Sequence, residues 1–151
     1  MILEHIGLTV SDLDRSIDFY IQVLGFKLLR RTTTNAYLHL DDQLLELSPC
    51  IDPAPSPGLL SAHGNEPRLH SEVGITHLGF RVDDIEQTVH KIEHLGGELL
   101  TPPYEFEPQI EHAAEPTAEK LQRAARPVGG SHWKIAVFAD PDGIILEIVE
   151  R

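Results

Sequence analysis

The sequence predicts an α+β fold made of two tandem β-α-β-β-β modules. Three observations predict it: an internal repeat, an alternation of apolar residues that opens each copy, and a helical pattern that follows each alternation. The repeat places HIGLTVSDL at 5–13 over HLGFRVDDI at 77–85, an offset of 72 residues that continues through the helix to Gly25 and Gly97. A match in one register over this length indicates duplication of one supersecondary unit.

Each copy begins with a predicted strand. Its apolar residues are Ile6, Leu8 and Val10 in the first copy and Leu78, Phe80 and Val82 in the second, and they alternate with His5, Gly7 and Thr9 or with His77, Gly79 and Arg81. A period of two is typical of a strand with one buried face. His5 and His77 are therefore expected at equivalent places on the opposite, polar face.

A helix follows each of these strands. In the first copy, Ser11 or Asp12 is the expected N-cap and Gly25 the left-handed stop. The apolar stripe of that helix is predicted to be Leu13, Ile17, Ile21 and Leu24, and that of the second helix Ile85, Val89, Ile92 and Leu95. The second helix is expected to stop at Gly96 and Gly97.

Three further strands complete each module. They are predicted at 26–33, 36–40 and 43–48 in the first half and at 98–101, 133–139 and 143–149 in the second, with a turn at Asp-Pro-Asp-Gly 140–143. The first module is thus 1–48, a proline-rich linker is 49–72, and the second module is 73–151. The second module carries an insert at about 104–131, in which 116–126 has helix-forming composition.

Composition excludes several classes of partner. The 151 residues carry 12 Lys and Arg against 24 Asp and Glu, a formal net charge of −12. This charge argues against nucleic acid and against an anionic membrane surface, because both require clustered basic residues. No apolar stretch is long enough to span a membrane, and the N-terminus does not have the pattern of a signal peptide. The single cysteine, Cys50, fits a reducing cytoplasm.

Four residues with metal-binding side chains occupy places related by the repeat. His5 and His77 lie on the polar faces of the two opening strands, while Glu46 and Glu147 alternate with apolar residues in the closing strand of each half. Two imidazoles and two carboxylates form a ligand set that suits Zn, Ni, Co, Mn or Fe(II). By contrast, the H-x-x-E-H pattern at 90–94 is expected to face solvent, opposite the apolar stripe of its helix.

Four segments carry a resemblance to a known family. HIGLTVSDLDRSIDFYIQVLGFKLL at 5–29, LLEL at 44–47, HLGFRV at 77–82 and FADPDGIILEIVE at 138–150 resemble the vicinal oxygen chelate superfamily. This superfamily includes glyoxalase I, methylmalonyl-CoA epimerase, fosfomycin resistance proteins, extradiol dioxygenases and bleomycin-binding proteins. The resemblance implies that the paired modules curl into a curved sheet cup around one divalent metal ion.

The ligand pattern distinguishes the members of this superfamily. Bacterial glyoxalase I has His, Glu, His, Glu in an order that His5, Glu46, His77 and Glu147 match one for one. The resistance enzymes and dioxygenases use three of these positions, and the epimerase usually has Gln at the place of Glu46. The resemblance to bacterial glyoxalase I implies proton transfer between adjacent carbons of the substrate through an enediolate. Either Glu46 or Glu147 is then the base, and Glu147 is favoured.

Three residues are candidate substrate contacts. Bacterial glyoxalase I usually has an Arg at the place of Thr9, where it helps to hold a glutathione carboxylate, so the resemblance does not imply glutathione dependence here. Arg81 is the repeat partner of Thr9 and a candidate to anchor a carboxylate or phosphate from the other module. Lys134, beside a predicted pocket strand, is the third candidate.

The expected function is therefore that of a divalent-metal-dependent lyase or isomerase of the glyoxalase I type, acting on a small α-oxo or α-hydroxy molecule such as a methylglyoxal adduct. Ni, Co or Zn is the favoured ion, with Mn or Fe as alternatives. The other interpretations are an acyl-CoA epimerase, a non-catalytic drug- or metabolite-binding resistance protein, an iron dioxygenase and a thiol transferase. The resemblance also implies a homodimer, and the single cysteine makes the cytoplasm the expected location.

Overall fold

A computed structural model of the chain describes residues 3–51, 75–106 and 133–150. These residues form two helices and eight strands in the predicted order, which confirms the α+β fold class. In chain order the elements are β1 (Ile6–Val10), α1 (Leu13–Leu24), β2 (Lys27–Arg31), β3 (Ala36–Leu40), β4 (Gln43–Pro49), β5 (Leu78–Val82), α2 (Ile85–His94), β6 (Glu98–Phe106), β7 (Trp133–Ala139) and β8 (Ile145–Glu150).

The two modules have the same sheet topology. The strand order is β1-β4-β3-β2 in the first sheet and β5-β8-β7-β6 in the second. The opening strand of each module runs parallel to the closing strand, and the other neighbours are antiparallel. Gly7 lies opposite Glu46 in the first sheet, and Gly79 lies opposite Glu147 in the second. The duplication read in the sequence therefore extends to the register of the strands.

One hydrophobic core joins both modules. The alternating residues of β1 and β5 turn their apolar side chains toward it, as expected, and leave Gly7, Thr9, Gly79 and Arg81 exposed. Its largest fully buried apolar side chains include Tyr20, Leu38, Leu47, Ile92, Phe138, Leu146 and Ile148. A Cβ atom at Gly97 would lie 3.1 Å from Phe19 Cε2 and 2.6 Å from Ile92 Cγ2, so this glycine is what lets the helices pack closely there.

Helix α1 begins and ends as its sequence predicts. The Asp12 side chain accepts a hydrogen bond from the Arg15 N–H at 3.0 Å, and Gly25 ends the helix in the left-handed region with φ 77°. The predicted stripe is wrong in part, because Leu13, Ile21 and Leu24 are only half-buried. The buried face consists instead of Ser16, Ile17, Phe19, Tyr20 and Val23.

The shift of this face follows from contacts between α1 and the β7–β8 turn. The Tyr20 hydroxyl donates to Asp140 Oδ2 at 2.9 Å, and Asp140 Oδ1 accepts from the backbone N–H groups of Asp142 and Ile144. Asp142 in turn accepts hydrogen bonds from the Ser16 hydroxyl and the Arg15 guanidinium. Burial raises the pKa of Asp140 despite these donors. Polar side chains of the first module are thus buried against the second.

The second module departs from expectation after α2. Strand β6 runs to Phe106 rather than ending at 101, and it passes Pro102 and Pro103 at an irregularity in its pairing with β7. The first three residues of the insert predicted at 104–131 therefore belong to a strand. The rest of that insert, the helix-forming segment 116–126 and most of the linker at 49–72 lie outside the described residues. Neither described helix is long and apolar enough to cross a membrane.

Candidate metal centre

The first pair of predicted ligands is formed within the first sheet. His5 precedes β1 on the face that carries Gly7, and Glu46 projects from β4 opposite Gly7. Because β1 and β4 are parallel neighbours, the two side chains meet on one face, with His5 Nε2 at 3.3 Å from Glu46 Oε2. The side chain of His5 is 37% exposed and that of Glu46 is 20% exposed. Both groups are accessible to an ion or a substrate.

The second pair repeats this geometry in the second sheet. His77 precedes β5, and Glu147 projects from β8 opposite Gly79. The distance from His77 Nε2 to Glu147 Oε1 is 3.9 Å. A Cβ atom at Gly79 would lie 3.8 Å from this carboxylate oxygen, an ordinary van der Waals distance, so position 79 borders the pair directly.

The other ring nitrogen of each histidine contacts the side chain that precedes it. Nδ1 of His5 hydrogen-bonds with the Glu4 carboxylate, and Nδ1 of His77 lies 2.9 Å from Thr76 Oγ1. The hydrogen bond with Glu4 raises the pKa of His5. Such contacts orient the imidazole and leave Nε2 available, as is usual for metal-ligating histidines.

The two glutamates differ in their surroundings. Asn35 Nδ2 donates to Glu46 Oε1 at 2.7 Å, and this bond, together with the nearby Tyr37 hydroxyl, lowers the pKa of Glu46. The Tyr37 ring also meets the His5 ring edge-on, with centroids 5.9 Å apart. Within the described ranges, the Glu147 carboxylate has no hydrogen-bond donor comparable to Asn35.

The two pairs do not converge within one chain. No three of His5, Glu46, His77 and Glu147 offer ligand atoms within 4.8 Å of one another in the described parts of the chain. The three residues that do so there are Asp84, Glu86 and Glu150. That acidic group already has partners, because Glu150 accepts from the Ile85 N–H at 2.8 Å and Lys134 Nζ lies 2.6 Å from Glu86. We therefore regard it as a helix-capping contact.

Two of the predicted substrate contacts lie near the histidines. A cavity of about 240 Å³ separates the edge strands β1 and β5, and its lining includes Gly7, Thr9 and His77. Arg81 is exposed on the same face of β5 as His77 and Gly79, roughly 7 Å along the strand from Gly79. The structure therefore brings Thr9 close to the second histidine and places Arg81 beside the second pair.

Lys134 lies elsewhere. It pairs with Glu150 across β7 and β8, and its ammonium group contacts Glu86 at the start of α2. Glu147 is three residues from Glu150 on the same strand, so it projects from the opposite face of the sheet. Lys134 is thus not brought to the His77–Glu147 pair.

The residues that sequence reasoning missed are Asn35 and Tyr37. Leu40 pairs with Gln43 across a two-residue turn, and this register places Tyr37 opposite Glu46. A two-residue turn between two strands determines which residues pair. The Asp41–Asp42 dipeptide between the predicted strands could therefore have predicted that Tyr37 lies opposite Glu46. Asn35 lies before β3 and reaches Glu46 through the conformation of the 32–35 turn, for which the sequence has no comparable signal.

The arrangement fits a divalent metal ion. Neutral imidazole and carboxylate are the donors that Zn, Ni, Co, Mn and Fe(II) accept in proteins. In each pair the nitrogen and oxygen that face one another are the atoms such an ion would bind, and the second ring nitrogen already has a partner. His90 and His94, by contrast, are both exposed on α2 with ring centroids 6.5 Å apart, as the sequence predicts.

Comparisons with known proteins show the family of the chain. Residues 2–148 match the family described as "Glyoxalase/Bleomycin resistance protein/Dioxygenase superfamily". The chain is 31% identical to a lactoylglutathione lyase of Escherichia coli O157:H7 over 151 residues, which is 100% of this chain and 93% of that protein. It is 29% identical over 155 residues to a probable chloroplastic lactoylglutathione lyase of Arabidopsis thaliana, covering 97% of this chain but only 35% of the plant protein.

Among solved structures, a glyoxalase/bleomycin resistance protein/dioxygenase family enzyme from Burkholderia phytofirmans PsJN superimposes with a TM-score of 0.62 at 19% identity. The match covers 97% of this chain and 96% of the other. At this identity the likeness concerns the fold alone.

Proposed function

The chain belongs to the glyoxalase/bleomycin resistance protein/dioxygenase superfamily, and on that premise we propose that it is a divalent-metal-dependent lyase or isomerase of the glyoxalase I type. The observation that carries the proposal is the presence of two His–Glu pairs at repeat-equivalent positions. The relatives named lactoylglutathione lyase support the same choice. A second glutamate at position 46 distinguishes this site from the three-ligand pattern of the resistance enzymes and dioxygenases.

The proposed ligands are His5, Glu46, His77 and Glu147, with Ni, Co or Zn as the favoured ion. When bound, the ion supplies Lewis-acid polarisation of two adjacent oxygen atoms of the substrate. Glu4 and Thr76 hold the imidazole rings so that each Nε2 points toward its glutamate. Asn35 holds one oxygen of Glu46.

Glu147 is the proposed proton carrier. Its carboxylate removes the proton from one carbon of the substrate and returns it to the neighbouring carbon, acting first as base and then as acid. This assignment is supported by the difference between the two glutamates. Glu147 has no fixed side-chain donor within the described part of the chain and can turn toward a carbon atom, whereas Glu46 is held by Asn35. Arg81 is placed to bind an anionic group of the substrate on the same face.

The proposed substrate is the hemithioacetal of methylglyoxal and a small thiol, in the cytoplasm. Thr9 stands where bacterial glyoxalase I usually has an arginine, so the thiol need not be glutathione. Arg81 supplies a guanidinium from the other module instead.

Metal content and turnover test the proposal together. Protein purified without chelator should contain about one equivalent of Ni, Co or Zn per chain and should convert a methylglyoxal–thiol adduct. The Glu46→Gln variant should contain markedly less metal, because an amide oxygen is a weaker ligand than a carboxylate, while Glu93→Gln on the exposed face of α2 should match the parent. Failure to bind any of several divalent ions would contradict the proposal, and so would a full complement of iron retained by Glu46→Gln.

We further propose that a homodimer completes the site. This proposal is supported by the failure of the two pairs to converge within one chain. If each site takes one His–Glu pair from each chain, His5→Ala and His77→Ala should each be inactive alone. Mixing the two variants should restore about one quarter of the parent activity, because about half of the dimers would be mixed and each mixed dimer would have one intact site of two. Mixed variants that stay inactive after denaturation and joint refolding would indicate that each site is built within one chain.

A further inference from the structure

Four positions form a row across the polar face of the first sheet, opposite the hydrophobic core. Arg30 of β2 pairs with Tyr37 of β3, Tyr37 pairs with Glu46 of β4, and Glu46 pairs with Gly7 of β1. Directly paired residues project from the same face of a sheet. The polar side chains of three strands are therefore arranged side by side next to His5.

The equivalent row of the second sheet has a different composition. Thr101 pairs with Val137, Val137 with Glu147, and Glu147 with Gly79. An apolar side chain thus stands beside Glu147 at the place where Tyr37 stands beside Glu46. The repeat preserved the histidine, the glutamate and its paired glycine in each module, but not the residue on the other side of the glutamate.

The contacts of the first row hold one another in place. The Arg30 guanidinium lies over the Tyr37 ring at 4.6 Å from its centroid, and the same ring meets His5 edge-on. The Tyr37 hydroxyl faces the Glu46 carboxylate, and Asn35 donates to that carboxylate from the other side at 2.7 Å. Tyr37 therefore contacts both members of the first pair, and Asn35 fixes the orientation of one of them.

We propose that Asn35 and Tyr37 are positioning residues that hold Glu46 beside His5, so that this pair is the tightly binding half of the metal site. The inference rests on the proposed function, since it concerns the same ion. A ligand that is already oriented loses less conformational freedom when the ion binds. Among the described residues, none orients Glu147 as Asn35 and Tyr37 orient Glu46, so the His77–Glu147 pair is the weaker half of the proposed site.

Metal affinity of the apoprotein tests this inference without any assay of activity. The dissociation constant for Zn²⁺ is measured by competition with a chromogenic chelator for the parent, Tyr37→Phe and Asn35→Ala. Each variant should bind Zn²⁺ about 10–100-fold more weakly, which is the usual effect of removing a group that orients a ligand. Excess Zn²⁺ should restore turnover in both variants, because the residues act on binding of the ion and not on proton transfer.

Two control variants separate positioning from general damage. Tyr104→Phe removes the hydroxyl of a tyrosine in β6 that is 44% exposed, and Gln22→Ala removes an exposed side-chain amide from α1. Both should bind Zn²⁺ like the parent. Equal affinity in the parent, Tyr37→Phe and Asn35→Ala, with unchanged melting temperatures, would overturn this inference and leave the proposed function standing. A parent that binds no Zn²⁺, Ni²⁺ or Co²⁺ would overturn both.

Discussion

Replacing Glu147 with Gln should lower turnover of a methylglyoxal–thiol adduct by about 10²–10⁴-fold, the range that a positioned general base contributes. Glutamine has the same shape and keeps one oxygen toward His77, but it cannot accept the substrate proton. The measurement is kcat at saturating metal, expressed per bound ion. With this normalisation, loss of the base is not confused with loss of the ion.

The matched comparison is Glu46→Gln, which makes the same change in the other module. Because Asn35 holds Glu46, that variant should lose affinity for the ion but keep most of its turnover per bound ion. A reversed result, with the defect in kcat confined to Glu46→Gln, would make Glu46 the base. Parent-like kcat in both variants would exclude proton transfer by either glutamate.

Replacing Asp140 with Ala should produce the largest loss of stability. Asp140 is 3% exposed and accepts hydrogen bonds from the Tyr20 hydroxyl and from two backbone N–H groups. Removing the carboxylate leaves the buried Tyr20 hydroxyl and two half-buried N–H groups without this partner, at about 1–3 kcal/mol for each donor that stays out of water. We expect a loss of about 3 kcal/mol or more in total, which corresponds to a fall in Tm of about 6–12 °C for a domain of this size.

Thermal unfolding, monitored by circular dichroism, measures this change in Tm directly. Asp18→Ala is the control, because Asp18 lies on the exposed side of α1 and a surface change of this kind is usually worth less than about 0.5 kcal/mol. Tyr20→Phe removes only one of the three donors and should fall between the two. A Tm for Asp140→Ala equal to that of Asp18→Ala would mean that the β7–β8 turn does not support α1.

The fold was predictable because its main signals are local and occur twice. The alternation in β1 and β5 and the caps at Asp12 and Gly25 can be read from short segments. The buried face of α1 was not predictable in the same way. Ser16 and Tyr20 are buried because Asp142 and Asp140 lie over them, and a helical stripe of apolar residues contains no information about so distant a partner.

The candidate site was predictable to the level of its pairs. The repeat relates His5 to His77, and the alternation in β4 and β8 places Glu46 and Glu147 on the faces of these histidines. Whether the pairs meet depends on how modules and chains pack, which no local pattern records. Lys134 lies on the opposite face of the sheet from Glu147 because it pairs with Glu150, a register that its place beside a predicted strand does not reveal.

The hydrogen bond between Tyr20 and Asp140 joins residues 120 positions apart. On the ribosome, at about 5–20 residues per second, α1 is therefore synthesised about 6–24 s before the turn that covers it. Once β4 has been synthesised, the nascent chain contains all four strands of the first sheet, but Ser16 and Tyr20 still lack their partners on the β7–β8 turn. Final docking of α1 therefore waits until the β7–β8 turn has been synthesised.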